Sequence, residues 1–186
     1  MAPRGTKEKK VDLSEHQKHD YGRGFIVRGL WYLVNTILFR GYAFPLYSPK
    51  VFILHVFGAC MGKNTVIKPN VNIKYPWKLK IGDNVWIGEG VWIDNLDYVT
   101  IGDNVCISQG VYLCTGSHDY RDEKFRLITK PIKIEEGAWL CAFSKIAPGV
   151  TVKRNSVVGF WSVLTDDTVE NKVYVGNPAK SIRERF

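Results

Sequence analysis

The sequence has few histidines, and its cysteines show no pattern of a metal site or a disulfide framework. Four histidines and four cysteines are spread over 186 residues. No two cysteines form a Cys-x-x-Cys pair, and no histidine lies at a zinc-finger spacing from them. We therefore expect no bound metal and no disulfides, with the thiols packed as small apolar groups in a cytoplasmic protein. The cysteines are Cys60, Cys106, Cys114 and Cys141.

The sequence also lacks a long apolar run. Its charged start continues into Asp12 and Glu15, so no apolar core of a secretory signal peptide is visible. The most apolar stretch, residues 25–39, includes Arg28 and is shorter than the roughly 20 residues that a membrane span needs. This stretch favours a helix that is buried or packed between subunits, with contact of residues 25–57 with a membrane surface as the alternative.

Length and composition indicate one globular domain. The chain is long enough to bury a sizeable core, and 45% hydrophobic with 24% charged residues is typical of a soluble protein. The net charge of +8 would suit nucleic acid, a membrane surface or an anionic small molecule, but no nucleic-acid-binding motif accompanies it. Residues 1–20 are expected to form a mobile basic leader, and residues 21–60 a helical cap interrupted at Pro45 and Pro49. Residues 61–186 carry the repeat that dominates the sequence.

A six-residue repeat runs through this larger part of the chain. Ile81-Gly82-Asp83-Asn84 recurs as Ile101-Gly102-Asp103-Asn104, and an aliphatic residue or methionine recurs at intervals of six. Six is not a multiple of 3.6, so the period is not helical. It predicts an all-β solenoid of about five turns, with three short parallel strands in each turn and a short helix or tail at the C-terminus. The predicted inward positions are Met61, Ile67, Ile73, Ile81, Ile87, Ile93, Ile101, Ile107, Leu113, Ile134, Leu140, Ile146, Val152, Val158 and Leu164.

Three junctions are longer than six residues, and they predict a functional edge. Each follows the third strand of a turn, so all three should leave the same corner of the prism, the last as a protruding loop of residues 115–133. A column of aromatic, carboxylate and imidazole groups has no use in packing a prism, so this corner is expected to carry a site. The side chains expected to stack there are Tyr75 with Asn95 and Thr115, and Trp77 with Asp97 and Ser117.

Seven short segments along the repeat carry a resemblance to a known family. They are Tyr75-Pro76-Trp77, Ile107-Ser108-Gln109, Cys114-Thr115-Gly116-Ser117-His118-Asp119-Tyr120, Pro131-Ile132, Trp139-Leu140, Ala147-Pro148-Gly149-Val150 and Gly176-Asn177-Pro178-Ala179-Lys180. These segments resemble the hexapeptide-repeat acetyltransferases, which fold as left-handed parallel β-helices. The resemblance covers nearly the whole chain and is closest to a branch named for colanic-acid biosynthesis, itself similar to maltose and galactoside O-acetyltransferases. It implies a homotrimer with active sites between subunits, which transfers the acetyl group of acetyl-CoA to a sugar or glycan hydroxyl in surface polysaccharide biosynthesis.

By this resemblance, His118 is the general base. A sugar hydroxyl is a poor nucleophile at neutral pH and needs a base within hydrogen-bond reach as it attacks the thioester. His118 is also the single histidine of the repeat region. A backbone carbonyl, Asp119, Glu135 or Glu136 would each be able to orient its ring.

The resemblance also implies residues that bind acetyl-CoA. Related enzymes use a backbone N–H near residues 142–144 of the neighbouring subunit to stabilise the oxyanion, although this chain has Cys141-Ala142 where relatives carry Gly-Gly or Gly-Ser. Asp166 replaces a lysine of the relatives, so Lys180 and Arg183 are the cations expected to meet the phosphates. The full predicted set is Trp139, Ala142, Ser144, Phe160, Thr165, Lys180 and Arg183.

Trp77, Asp94, Asn95 and Asp97 are the residues expected to bind the sugar. Carboxylates and amides accept hydrogen bonds from sugar hydroxyls, and an indole face can stack on a pyranose ring. Asp94 and Asn95 could instead only shape the corner loop.

Two other functions stay open at this point. N-acetylation of an amino sugar or amino nucleotide sugar would use the same base, and a non-catalytic trimeric scaffold would not need His118. A γ-type carbonic anhydrase of similar architecture is excluded, because it needs three zinc-binding histidines and only His55 and His118 lie outside the leader.

Overall fold

The fold is a left-handed parallel β-helix with a helical cap over the end where the repeat begins, here called the lower end. The structure is a computed structural model that describes residues 10–14, 19–42 and 46–186. Most of the predicted leader and the predicted break at Pro45 therefore lie outside the described residues.

Three strands make up each turn of the prism, as the repeat predicts. The first turn holds β1 (Cys60–Met61), β2 (Val66–Ile67) and β3 (Asn72–Ile73), with a 3-10 turn at Pro76–Lys78 after it. The second holds β4 (Leu79–Ile81), β5 (Trp86–Ile87) and β6 (Trp92–Asp94), and the third β7 (Val99–Ile101), β8 (Cys106–Ile107) and β9 (Tyr112–Cys114). A hairpin of β10 (Gly116–His118) and β11 (Leu127–Thr129) follows. The fourth turn holds β12 (Ile132–Ile134), β13 (Trp139–Leu140) and β14 (Lys145–Ile146), and the fifth β15 (Thr151–Val152), β16 (Val157–Val158) and β17 (Val163–Leu164). The chain ends in β18 (Lys172–Gly176) and β19 (Ala179–Glu184).

These strands form three parallel sheets, each with one strand from every turn. The first sheet runs β1-β4-β7-β12-β15, the second β2-β5-β8-β13-β16-β18-β19, and the third β3-β6-β9-β14-β17. The number of turns is slightly larger than predicted, because β18 begins a sixth turn in the second sheet. The predicted C-terminal helix or tail is instead β19, which pairs antiparallel with β18. This pairing covers a strand edge that the last turn would otherwise leave open.

The core lies along the axis of the prism and matches the repeat. Fourteen of the fifteen predicted inward residues are buried, and Met61, next to the open end, is partly buried. The position four residues later is also buried in twelve cases out of fifteen. The exceptions are Trp77, Asp97 and Ser117, which all lie at the corner with the long junctions.

The Ile-Gly-Asp-Asn motif fixes the corner between the first and second sheets. Asn64 donates to Asn84 at 3.0 Å, and Asn84 donates to Asn104 at 3.2 Å, so their side chains form a ladder. All three asparagines have φ near 55°, a region that asparagine tolerates better than most residues. A Cβ at Gly82 would lie 2.2 Å from Oδ1 of Asp103, so only glycine fits there.

The cap consists of α1 (Phe25–Val34), a π-helical turn over Asn35–Phe39 and α2 (Tyr47–Val56). It packs on the lower end of the prism, where the Trp31 indole donates to the carbonyl of Ile73 at 2.9 Å. The predicted break at Pro49 is wrong, because Pro49 lies in the first turn of α2, where its missing N–H breaks no helical hydrogen bond. The expectation of a buried helix holds for one face of α1 only, since the other face is exposed.

Candidate functional site

The three long junctions leave one corner of the prism, between the third and first sheets, as predicted. Asn72 pairs with Trp92 and Trp92 with Tyr112, so residues 20 apart in sequence stack on successive turns. We call this corner, formed by residues 74–78, 95–98 and 115–131, the arm edge.

The longest junction forms an arm that stands out from this edge. Its strands β10 and β11 are antiparallel, and His118 pairs with Leu127 across them. At the tip, the Phe125 N–H donates to the carbonyl of Asp122 at 2.9 Å. Arg126 donates to the Asp122 carboxylate, which lowers the pKa of that carboxyl. The arm is therefore an ordered hairpin that presents His118 to solvent.

The backbone of the arm sets the tautomer of His118. Its Nδ1 lies 2.8 Å from the carbonyl oxygen of Phe125, and the two rings stack at 4.4 Å with 9° between their planes. A carbonyl oxygen only accepts hydrogen bonds, so Nδ1 of the neutral ring carries the proton and Nε2 keeps its lone pair. Of the orienting groups considered from the sequence, the structure places a backbone carbonyl in this position.

Two of the predicted sugar-binding residues are engaged within the corner. Asn95 is fully buried, and its side-chain amide donates to the Tyr75 carbonyl at 2.6 Å and accepts from the Tyr75 N–H at 2.9 Å. Asp94 forms an ion pair with Lys74 at 2.7 Å and accepts from the Tyr112 hydroxyl at 3.0 Å. Burial and the Asp94 carboxylate raise the pKa of Tyr112, so this hydroxyl stays protonated. For Asn95, the geometry favours the alternative role of shaping the loop.

The other two predicted sugar-binding residues lie at the base of the arm edge. The Trp77 indole donates to the carbonyl of Tyr21 at 2.7 Å and stacks on Tyr75 at 5.1 Å, so it holds the N-terminal segment. The Asp97 N–H donates to the Thr115 hydroxyl at 3.0 Å. Asp97 is half-buried, and its carboxylate accepts a hydrogen bond from the Tyr98 N–H at 2.7 Å.

The predicted oxyanion donor lies on a different corner, between the second and third sheets. We call this corner the aromatic edge, formed by residues 68–71, 88–91, 108–111, 141–144 and 159–162. The turn after β13, residues 141–144, contains Ala142 and Ser144, two of the predicted cofactor-binding residues.

Within this turn, the N–H groups on either side of Ala142 are occupied. Cys141 donates to Val158 at 2.8 Å, and Phe143 donates to Gln109 at 2.9 Å. The Ala142 N–H has no hydrogen-bond partner among the described residues, so it is available to a ligand. Ser144 differs: its side chain is fully buried inside the prism, and its N–H donates to the Cys141 carbonyl at 3.2 Å.

Aromatic side chains surround this turn. Phe143 stacks on Trp161 at 5.2 Å and meets Phe160 edge-on at 5.9 Å. Phe160 is 63% exposed, and Trp139, on the adjoining second sheet, is half-exposed with its indole N–H bound to Ser108 at 3.0 Å. This apolar surface beside a free N–H suits a long, partly apolar ligand.

The predicted phosphate-binding cations lie at the upper end of the prism. Lys180 and Arg183 are exposed on β19, and Lys180 Nζ lies 3.9 Å from the carboxylate of Asp166. Thr165 donates to the same carboxylate at 3.1 Å. Asp166 is therefore a weak ion-pair partner of Lys180 in addition to being a source of repulsion for phosphate.

The sequence interpretation missed a cleft of about 760 Å³ on the aromatic edge. Trp86, Glu89, Gln109 and Phe143 line it, next to Ala142. A signal was present, because Glu89 and Gln109 lie 20 residues apart at the turn position that Ala142 occupies one turn higher. A second cavity of about 430 Å³ lies between α1 and the third sheet.

Among the described residues there is neither a candidate metal site nor a candidate membrane span. No three His, Cys, Asp or Glu side chains among them converge so that they could hold a metal ion. None of the described helices has the length and apolar character needed to cross a membrane.

Comparison with known proteins gives close relatives, although no family model matches the chain. The chain is 45% identical over 156 residues to an Escherichia coli (strain K12) protein named "Putative colanic acid biosynthesis acetyltransferase WcaF". The match covers 84% of this chain and 86% of that one. The Vibrio cholerae hexapeptide-repeat acetyltransferase VCA0836, solved with acetyl-CoA, superposes with a TM-score of 0.80 at 25% identity over 96% of this chain and 97% of that one. A galactoside acetyltransferase solved with coenzyme A superposes with a TM-score of 0.76 at 28% identity. The match covers 87% of this chain and 82% of that one.

Proposed function

Because the chain belongs to the hexapeptide-repeat acetyltransferases, we propose that this acyltransferase moves the acetyl group of acetyl-CoA directly to a sugar hydroxyl, with His118 as general base. The observation that carries the proposal is the Phe125 carbonyl at 2.8 Å from Nδ1, which leaves Nε2 free to accept a proton. The name of the Escherichia coli relative supports an acceptor in surface polysaccharide biosynthesis. Four free cysteines fit a reducing, cytoplasmic compartment.

The active site forms between two subunits of a homotrimer. The arm is rooted between β9 of the third turn and β12 of the fourth, and Ala142 follows β13 of the fourth turn. The two groups thus share one level along the prism but lie on different corners. A rotation about an axis parallel to the prism, as in a cyclic trimer, would bring the arm of one subunit to the aromatic edge of the next. No translation along the prism axis is needed.

The residues of this composite site divide the reaction between them. The Ala142 N–H binds the thioester carbonyl and stabilises the oxyanion that forms on attack. The sugar occupies the cleft beside it, against Trp86 and Glu89, with the Asp97 carboxylate of the other subunit next to the arm. Nε2 of His118 takes the hydroxyl proton as the oxygen attacks, and returns it to the departing thiolate of CoA.

Direct transfer is favoured over an acetyl-cysteine intermediate. Cys141 precedes Ala142, and burial raises the pKa of its thiol; burial likewise raises the pKa of Cys106 on the same sheet. At rest these thiols therefore carry little thiolate, which is the form that attacks a thioester. In the proposed reaction, the proton accepted by His118 comes from the sugar hydroxyl.

Co-expression of two inactive variants tests the composite site. A His118→Ala chain lacks the base, and an Ala142→Pro chain lacks the N–H. In trimers mixed at equal ratio, about one quarter of the sites combine the two intact halves, so we expect about a quarter of wild-type turnover. Release of CoA thiol is measured with sugars and amino sugars as acceptors.

The control is a mixture of the two variants purified separately, which should stay inactive. A site contained within one chain would leave the co-expressed trimers equally inactive, and this would contradict the composite site. Turnover confined to amino sugars would contradict O-acetylation.

Reversal of the charges at Lys180 and Arg183 should weaken acetyl-CoA binding. The double Lys180→Glu and Arg183→Glu variant is expected to raise the KM for acetyl-CoA roughly 5- to 50-fold, because charge-assisted bonds to phosphate are lost and repulsion is added. The KM for the acceptor should change little. Calorimetric titration with CoA and dephospho-CoA measures the effect, and Lys80→Glu with Lys133→Glu reverses two charges on the first sheet as a control. Unchanged CoA affinity would place the phosphates elsewhere.

A further inference from the structure

The exposed face of the cap is a continuous apolar stripe. Ile26, Leu30, Leu33 and Ile37 follow one another at helical spacing and are 83%, 54%, 55% and 57% exposed. Phe25 beside them is 81% exposed. The opposite face of the same helix packs on the prism, so this stripe points away from the core. A contiguous apolar surface of this kind marks a site of contact with another surface.

The second helix of the cap has the same property. Phe52 and Val56, one helical turn apart in α2, are 67% and 63% exposed. Leu46, just before the helix, is 58% exposed. Both helices of the cap therefore leave large apolar side chains in water, whereas their inner faces cover the lower end of the prism.

The charge of this part of the chain is entirely of one sign. Residues 21–82 contain nine lysines and arginines and no aspartate or glutamate. Arg23 and Arg40 are exposed just before and just after the apolar helical segment. An apolar stripe with cations at both ends, in a segment without carboxylates, is complementary to an anionic lipid surface.

We propose that the cap docks the enzyme on the surface of an anionic lipid bilayer. The stripe from Ile26 to Ile37 lies at the boundary of headgroups and acyl chains, and Arg23 and Arg40 meet lipid phosphates. A second copy of the same surface is a poorer partner, because it would bring these arginines together with no carboxylate of residues 21–82 to pair with them. The docking is independent of the transfer chemistry.

Sedimentation with lipid vesicles tests this proposal on the full chain. Wild-type protein should bind phosphatidylcholine vesicles with about one third phosphatidylglycerol at least 5-fold more than pure phosphatidylcholine vesicles, and about 0.5 M NaCl should weaken the binding. The Ile26→Glu and Leu33→Glu double variant should lower the bound fraction at least about 10-fold. Leu13→Glu with Val169→Glu adds the same two charges at exposed aliphatic positions outside the cap and should stay within about 2-fold of wild type.

Light scattering and thermal unfolding accompany the binding measurements. An unchanged mass and melting temperature with lost vesicle binding supports the proposal. Equal vesicle binding by the two double variants would overturn it. Wild-type protein that does not bind anionic vesicles would overturn it as well. Loss of subunits in the Ile26 and Leu33 variant, with no vesicle binding by wild type, would identify the stripe as a subunit interface. If the variant does not fold, the lipid and salt dependence of the wild-type protein still decides the question.

Discussion

Replacement of His118 by alanine should lower kcat for acetyl transfer about 10²- to 10⁴-fold and leave the fold intact. The arm does not depend on the imidazole, because β10 and β11 pair through their backbones and the Asp122–Arg126 contact closes the tip. The substitution removes the hydrogen bond to the Phe125 carbonyl and the stacking of the imidazole on the Phe125 ring, and it leaves this backbone pairing in place. Initial rates of CoA release at saturating acceptor measure the effect.

A matched control separates catalysis from the loss of any exposed histidine. His55 is exposed on α2, in the cap, and His55→Ala should retain wild-type kcat. The KM for acetyl-CoA should also stay within about 2-fold in His118→Ala, because the base acts on the acceptor in the transition state. Near-wild-type turnover of His118→Ala would remove this residue from the mechanism.

Replacement of Ala142 by proline should lower kcat about 10²- to 10³-fold, the usual effect of removing one oxyanion donor. Proline deletes the N–H and is compatible with the local backbone. The Ser144 N–H donates to the Cys141 carbonyl, and Phe143 has a φ of 60°, which together indicate a type II turn. Proline is favoured at the second position of this turn, the position of Ala142.

The chain already contains a proline at the second position of an equivalent turn. Pro69 occupies the same turn position in the first turn of the prism, lower on the aromatic edge, before Asn70 with a φ of 56°. Ala142→Gly, which keeps the N–H, is the control and should retain most of the activity. Circular dichroism and CoA affinity verify that the proline variant is folded and binds its substrate. Turnover of Ala142→Pro close to that of Ala142→Gly would assign the oxyanion to another group.

The sequence is sufficient to predict the positions of residues relative to the prism. A period of six identifies the inward side chains, because only short aliphatic or small groups fit a narrow triangular interior. The long junctions predict the arm edge, since a solenoid repeats its corners at fixed intervals. The burial of fourteen of the fifteen inward positions confirms the first prediction. The register of residues such as Asp94 and Cys114, which pair on successive turns, confirms the second.

The repeat does not determine which partners the outward polar groups bind. Asn95 has a side chain that could bind a sugar hydroxyl, but its amide is already hydrogen-bonded to the N–H and the carbonyl of Tyr75. Ser144 shows the opposite case: it follows the inward Leu140 by four residues, so the repeat itself predicts the burial that is observed. The resemblance added Ser144 to the cofactor set, and the repeat is the better guide to its side chain. His118 follows the third strand of a turn and Ala142 follows the second, so the repeat itself places them on two corners. The partner that orients the His118 ring, by contrast, is defined only by the three-dimensional structure.

The common level of the arm and the Ala142 turn has a consequence for how such enzymes can vary. Gain or loss of one complete coil below β7 would move both halves of the site by the same strand spacing, about 4.8 Å, and would leave their match between subunits intact. The geometry of the active site is thus independent of the length of the prism. The number of lower coils sets the distance between the active site and the surface that the cap contacts.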